Sequence, residues 1–143
     1  MSKDDEVRAA STQFYAALNR MANGDASQLS DIWSQTPGVT TMHPIGGREV
    51  GWESVRGSFA QVAQIASAGK IRLDDQVITV VGDLAYELGY ERGPATFAGT
   101  KVDLDHRVTN IYRREAGGWK IVHHHTDVAP AMVDIVSRLQ NKK

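Results

Sequence analysis

The sequence predicts an α+β fold in which helices cover one face of a curved antiparallel sheet, and three observations lead there. Apolar residues in the first half recur at helical spacing. From Lys70 onward the period changes to two, with turn residues between the runs. The two patterns are segregated, giving the order helix, helix, strand, helix and then a meander of strands, which is how helices come to lie on one side of an antiparallel sheet. Such a sheet twists strongly and curls, and between it and the helices it can leave a conical cavity.

Val7, Ala10, Phe14, Ala17, Leu18 and Met21 form the stripe of a first helix, with Ser2 and Asp5 placed as a capping box. Gly24 stops it, and Asp25 with Gln28 opens a second, short helix ending near Trp33, so Asp25 reads as a cap. Val39 to His43 are β-prone and short, bounded by Pro44 and the turn pair Gly46 and Gly47, which predicts a brief edge strand. After Gly51, Trp52, Val55, Phe59, Val62 and Ala66 make a third helix, closed by Gly69. Three or four long strands follow, with turns expected at Gly82 and Asp83, at Gly93 and Pro94, and at Ala116 to Gly118. Pro130 to Leu139 reads as a short C-terminal helix with Met132, Ile135, Val136 and Leu139 on one side.

The chain has 143 residues, the size of one ordinary domain, and residues 1–143 are read as such. Hydrophobic residues at 41% and charged residues at 23% exclude disordered and fibrous classes. Sixteen Lys and Arg against seventeen Asp and Glu give a net charge of -1, so nucleic acid and membrane surfaces are not expected partners. Cysteine is absent, which removes disulfides, thiolate metal sites and Cys nucleophiles. The acidic start and the lack of a long apolar run make the cytoplasm the expected location.

The run from His106 to Asp127 reads as a β-hairpin around a Gly-rich turn, at Ala116 and Gly117 or at Gly117 and Gly118. A two-residue turn would put Arg107, Thr109, Ile111, Val122, His124 and Thr126 on one face. The other face would carry His106, Val108, Tyr112, Trp119, Ile121, His123 and His125. Neighbours on a strand point to opposite faces, so His123 and His125 alone of the triple histidine could share an ion, and no metal or other cofactor is expected.

YRREAGGWKIVHHHTDVAP resembles the last hairpin of SnoaL-like proteins and of the association domain of calcium/calmodulin-dependent kinase II. TTMHPIGGREVGWESV and FYAALNRMANGD resemble a strand-turn-helix entry and the first helix of the same nuclear transport factor 2-like superfamily. The resemblance implies a conical, cystatin-like fold, its curved sheet wrapped around three N-terminal helices. It implies a concave face that lines a pocket and a convex face that makes a homodimer. By that analogy Arg107, Thr109, His124 and Thr126 point inward, and Tyr112, Trp119, Ile121, His123 and His125 face the partner copy. Similarity to ketosteroid isomerase also implies inward positions for Tyr86, Leu88 and Tyr90 and puts that enzyme's base at His43. Its oxyanion tyrosine falls on Phe14, with Tyr15 one residue out of phase, and its acid falls near Arg107 or Val108.

These positions imply an enzyme that isomerises, cyclises or dehydrates a lipophilic small molecule by proton transfer. His43 would be the general base, with His124 or Tyr90 stabilising charge. Phe14, Trp33 and Trp52 are core aromatics by spacing and could also line the cavity. Arg107 needs an anion, either Asp105 or a ligand carboxylate. The alternative is a noncatalytic ligand-binding or oligomerisation domain similar to the kinase association domain.

Overall fold

The computed structural model describes residues 2–141. Helix α1 (Lys3–Met21) begins at Ser2, whose side chain accepts from the Asp5 amide at 3.1 Å and satisfies one donor that a helix start leaves open. All six residues of its predicted apolar stripe are buried. The next segment is a single 3-10 helix, Ser27–Asp31, and Asp25 accepts from the Ser27 amide at 2.9 Å instead of boxing with Gln28. Helix α2 (Trp52–Ile65) buries Trp52, Val55, Phe59, Val62 and Ala63. Helix α3 (Pro130–Gln140) carries proline in its first turn and buries Met132 and Ile135.

The strands are β1 (Thr40–His43), β2 (Gly46–Val50), β3 (Ala66–Ser67), β4 (Arg72–Val81), β5 (Leu84–Phe97), β6 (Thr100–Glu115) and β7 (Gly118–Thr126). They form one seven-stranded sheet in the order β2-β1-β7-β6-β5-β3, with β4 also on β5, curled as a half-barrel against the helices. Every pairing is antiparallel except β1 with β7. The expected edge strand β1 is therefore interior to the sheet. The edge is β2, which the glycine pair had disguised as a turn.

Gly93 and Pro94, expected as a turn, lie inside β5 opposite Leu104 and Asp103. The chain approaches so closely there that a Cβ on Gly93 would sit 2.0 Å from the Lys70 carbonyl oxygen, and φ is +136°. Glycine answers a packing demand at that position. The turn into β6 is Ala98 and Gly99, both with positive φ.

In the last hairpin Glu115 pairs with Gly118, so the turn is Ala116 and Gly117. Tyr112 then faces Ile121, but Ile111 faces His123, because a β-bulge makes Val122 an extra residue. A shift of one residue exchanges faces, and the bulge exchanges them within β7. Trp119 and Ile121 are inward before it, and His124 and Thr126 are inward after it. The inward residues of β6 are Val102, Leu104, His106, Val108, Asn110 and Tyr112.

Several expected orientations are corrected by this register. Tyr112, Trp119 and Ile121 belong to the core and cannot face a partner. Arg107 and Thr109 lie on the outer face, and so do Tyr86, Leu88 and Tyr90 of β5, where Ala85, Glu87, Gly89 and Glu91 are the buried alternates. His124 and Thr126 are inward, and His123 and His125 are outward.

Candidate active site

The inner face of β5 and β6 carries two polar cross-strand pairs, Glu87 opposite Asn110 and Glu91 opposite His106. All four residues are buried, and α1 lays Tyr15 across them. Glu91 accepts from the Tyr15 hydroxyl at 2.8 Å through Oε2 and from His106 Nε2 at 2.8 Å through Oε1. Burial alone would raise Glu91, but the hydrogen bond from His106, the nearby imidazoles and Tyr15 outweigh it and hold the carboxyl below its ordinary value. Burial, followed by the charge of Glu91, pushes the Tyr15 hydroxyl well above its usual range, so it stays a phenol.

Asn110 links this group to two others. Its amide nitrogen donates to the Tyr15 hydroxyl at 3.0 Å and to Glu87 Oε1 at 2.9 Å, and its Oδ1 meets Nδ1 of His124 at 2.6 Å. Glu87 is fully buried and also accepts from Tyr112 at 2.8 Å and from Gln76 at 2.6 Å. Gln76 in turn accepts from Arg8 at 2.5 Å, so the chain of hydrogen bonds runs from the surface to His124.

His43, at the end of β1, packs edge-on against Phe59 with centroids 4.7 Å apart, and its Nε2 meets Ser58 Oγ at 2.8 Å. Burial, and then the neighbouring His124, push its pKa down to about 3, so the ring is neutral over the ordinary pH range. Burial lowers His124 as well, with Glu91 opposing. The two rings lie 6.2 Å apart.

His43, Glu91, His106 and His124 share the wall of a small, partly open cavity of about 40 Å³, otherwise lined by apolar side chains such as Leu18, Phe59, Leu104 and Met132. That space admits a water molecule or little more. A groove of about 390 Å³ between α2 and α3 adjoins it, and Ile45, Val62, Phe97 and Met132 line both. These four side chains are the partition between the cavity and the surface.

Of the residues expected at a site, His43 and His124 meet here. Phe14, Trp33 and Trp52 are buried behind them. Phe14 packs on His124 at 5.3 Å and Trp33 on Phe59 at 5.8 Å, supporting the wall without being part of it. Thr126 is buried and donates to the Met42 carbonyl at 3.4 Å. Tyr90, Arg107 and Thr109 do come together, but along an open outer-face depression of about 420 Å³ that the buried Thr126 only borders. Arg107 meets its anion in Asp127, through two hydrogen bonds of 2.8 and 3.1 Å, while Asp105 pairs with Arg92. Tyr86 is exposed. The residues that sequence reasoning missed are Glu87, Glu91, His106, Asn110 and Ser58. Among the described residues no group of three or more His, Asp and Glu side chains is arranged to hold a metal ion.

A curled sheet whose concave face holds acid-base groups beside an apolar hollow defines a protein of the nuclear transport factor 2-like class, and solved structures agree. The profile of the SnoaL-like domain matches residues 7–131, and the chain belongs to that family. A proposed dehydratase of the nuclear transport factor 2-like family from Streptomyces avermitilis is 27% identical, with a TM-score of 0.76 over 88% of this chain and 95% of that one. A proposed calcium/calmodulin-dependent kinase II association domain from Thiobacillus denitrificans is 26% identical, with a TM-score of 0.67 over 85% and 94% of the two chains. A protein proposed to be a ketosteroid isomerase, from Shewanella frigidimarina, shares the fold at 21% identity, with a TM-score of 0.66 over 83% and 92%. No curated protein matches the chain.

Proposed function

We propose that the interior cluster is an acid-base site that moves a proton on a lipophilic small molecule, in an isomerisation, cyclisation or dehydration. The observation that carries this reading is the convergence of His43, Glu91, His106 and His124 on one otherwise apolar cavity. His124, oriented by Asn110, is the proton acceptor, and His43 flanks the substrate as a neutral imidazole. Glu91 with His106 supplies the charge that positive character in the transition state requires. Substrate enters from the groove between α2 and α3 as Met132 and Ile45 give way. The likeness to a proposed dehydratase supports the reaction class.

The test is a thermal-shift screen of cyclic alcohols and ketones, followed by turnover assays on the compounds that bind. His43→Ala and His124→Ala are each expected to lose about a hundredfold in kcat or more while still folding. Turnover within a few fold of the parent in both variants overturns the reading. A cytoplasmic setting is part of the same proposal, and cell fractionation checks it.

A second reading concerns assembly and is compatible with the first. Val77, Tyr86 and Leu88 are exposed, and Val77 pairs with Leu88 two residues along from Tyr86, so three large apolar side chains lie near one another on the outer face. We infer that two copies of the chain meet across it. Light scattering is expected to give a dimer at micromolar concentration and a monomer for Leu88→Arg; a monomeric parent overturns this reading.

A further inference from the structure

Among the described residues four buried side-chain atoms have no hydrogen-bond partner: Trp33 Nε1, Thr41 Oγ1, Glu49 Oε2 and His106 Nδ1. Of these residues only His106 lines the cavity beside His43 and His124. A buried polar atom left unpaired costs about 1–3 kcal/mol, so an orphan on a residue that walls a hollow points to something that fills the hollow.

Hydrogen bonding across the strands decides what that nitrogen can do. His106 on β6 and Glu91 on β5 are register partners, their side chains each 4% exposed, and Nε2 meets Oε1 at 2.8 Å. Burial opposes the charge of Glu91, but the hydrogen bond from His106 and the nearby imidazoles keep the carboxyl ionised at neutral pH. Its other oxygen accepts from the Tyr15 hydroxyl, so Glu91 has no proton to give and Nε2 of His106 is the donor. In the neutral ring Nδ1 is then a bare lone pair that calls for a donor. The cavity, at about 40 Å³, selects which donor: it admits a water molecule and excludes an organic ring. A buried water needs further polar neighbours, and His43, Glu91 and His124 stand in the same wall.

We propose that Nδ1 of His106 seats a single water molecule, and that Glu91 and His106 are positioning residues through which this water accepts a proton from a molecule arriving by the groove between α2 and α3. A proton that arrives on the water oxygen releases the one pointing at Nδ1. That proton passes to the ring, and the imidazolium so formed faces the Glu91 carboxylate, which steadies it. Only O–H and N–H bonds are made and broken in this relay, and no electron is transferred. The reacting molecule therefore need not fit inside the hollow. Its reacting atom has only to reach the water past Ile45 and Met132, which line both spaces. The catalytic half of this inference rests on the acid-base reading of the cluster, whereas the water site is independent of it.

Three measurements on the unmodified protein test the water site. Nitrogen NMR at neutral pH is expected to show the His106 ring protonated at Nε2 and bare at Nδ1; a proton on Nδ1 overturns the proposal. Cross-relaxation is expected between the ring proton on Cε1 of His106 and a long-lived water, and its absence overturns the proposal. Xenon enters dry apolar cavities, so xenon-induced shifts at Leu104 and Met132 would also overturn it. Glutamine can place its amide nitrogen where Nε2 sits and has nothing in place of Nδ1. His106→Gln is therefore expected to keep the bond to Glu91 and lose the water signal. It is also expected to cut kcat for any compound that turns over by about a hundredfold, with KM little changed. A water signal that persists in the variant, or full turnover without it, overturns the relay. Should the variant fail to fold, the spectra of the parent still decide. Turnover lost in His124→Ala together with a dry cavity would sink this inference and leave the acid-base reading standing. The expected tautomer and water with no reaction found in the screen would do the reverse.

Discussion

The two faces of β5 and β6 depart locally from the usual arrangement of a half-buried strand. The inner face carries Glu87, Glu91, His106 and Asn110, all buried, and the outer face carries Tyr86 and Leu88, 42% and 41% exposed. A sheet with one solvated face ordinarily puts its apolar alternates inside. Burying a carboxylate is costly unless it is fully hydrogen-bonded. Glu87 and Glu91 meet that condition by accepting from Gln76, Asn110, Tyr112, Tyr15 and His106. The comparison teaches that the sheet gathers its hydrogen-bonded acid-base groups on the helix-covered face and leaves some large apolar side chains on the other.

The largest expected effect follows from Glu87. Truncating it in Glu87→Ala leaves the donors of Gln76, Asn110 and Tyr112 facing a void, and unpaired buried donors cost about 1–3 kcal/mol each. Urea denaturation is expected to show a loss of roughly 3 kcal/mol or more. Tyr86→Ala, one position away on the outer face, is expected to change the stability of the isolated chain far less. Comparable losses at the two positions would break the contrast between the faces.

The next effect is a slope. His43 in the folded protein titrates at about 3, below the unfolded value of about 6.5, so between those limits the unfolded chain binds a proton that the native state refuses. Stability therefore rises with pH across that window by about 1.4 kcal/mol per pH unit from this group. His124, also lowered, adds in the same sense. Glu91 is lowered too, and as a carboxylate it contributes stability that is present above its unfolded pKa and lost as pH falls through the folded one. Denaturation of the parent and of His43→Phe at pH 7 and pH 5 is expected to show a flatter dependence in the variant, and an unchanged slope would mean that His43 is solvated.

Most of the architecture was legible in the sequence because helical stripes and caps are local. Val7 to Met21 and Trp52 to Val62 each carry their own period, and the structure buries them as that period requires. Of the candidate site, only His43 and His124 were legible. Period two tells which residues share a face but not which face is inside, and in β5 both choices present a consistent set. Apolarity favours Tyr86, Leu88 and Tyr90, while the interior took Glu87 and Glu91, whose partners Asn110 and His106 sit on another strand. The signal available was the coincidence of polar alternates in both strands, with small Ala85 and Gly89 between the glutamates. The bulge at Val122 left no mark in the local pattern, and it separates inward Ile121 from inward His124.

The smallest expected effect tests the outer face from the other side. Arg107 occupies a position that resemblance placed in the cavity, yet its side chain is 74% exposed and its guanidinium is held by Asp127. An exposed ion pair of this kind is screened by water and salt and adds little to folding. Arg107→Ala is therefore expected to leave the denaturation midpoint, the affinity for any compound that the thermal-shift screen finds and any turnover within experimental error of the parent. Calorimetric titration of the variant checks the affinity. A loss of binding would mean that the ligand reaches the outer depression lined by Tyr90 and Thr109, and that the polar interior serves only to hold the sheet in shape.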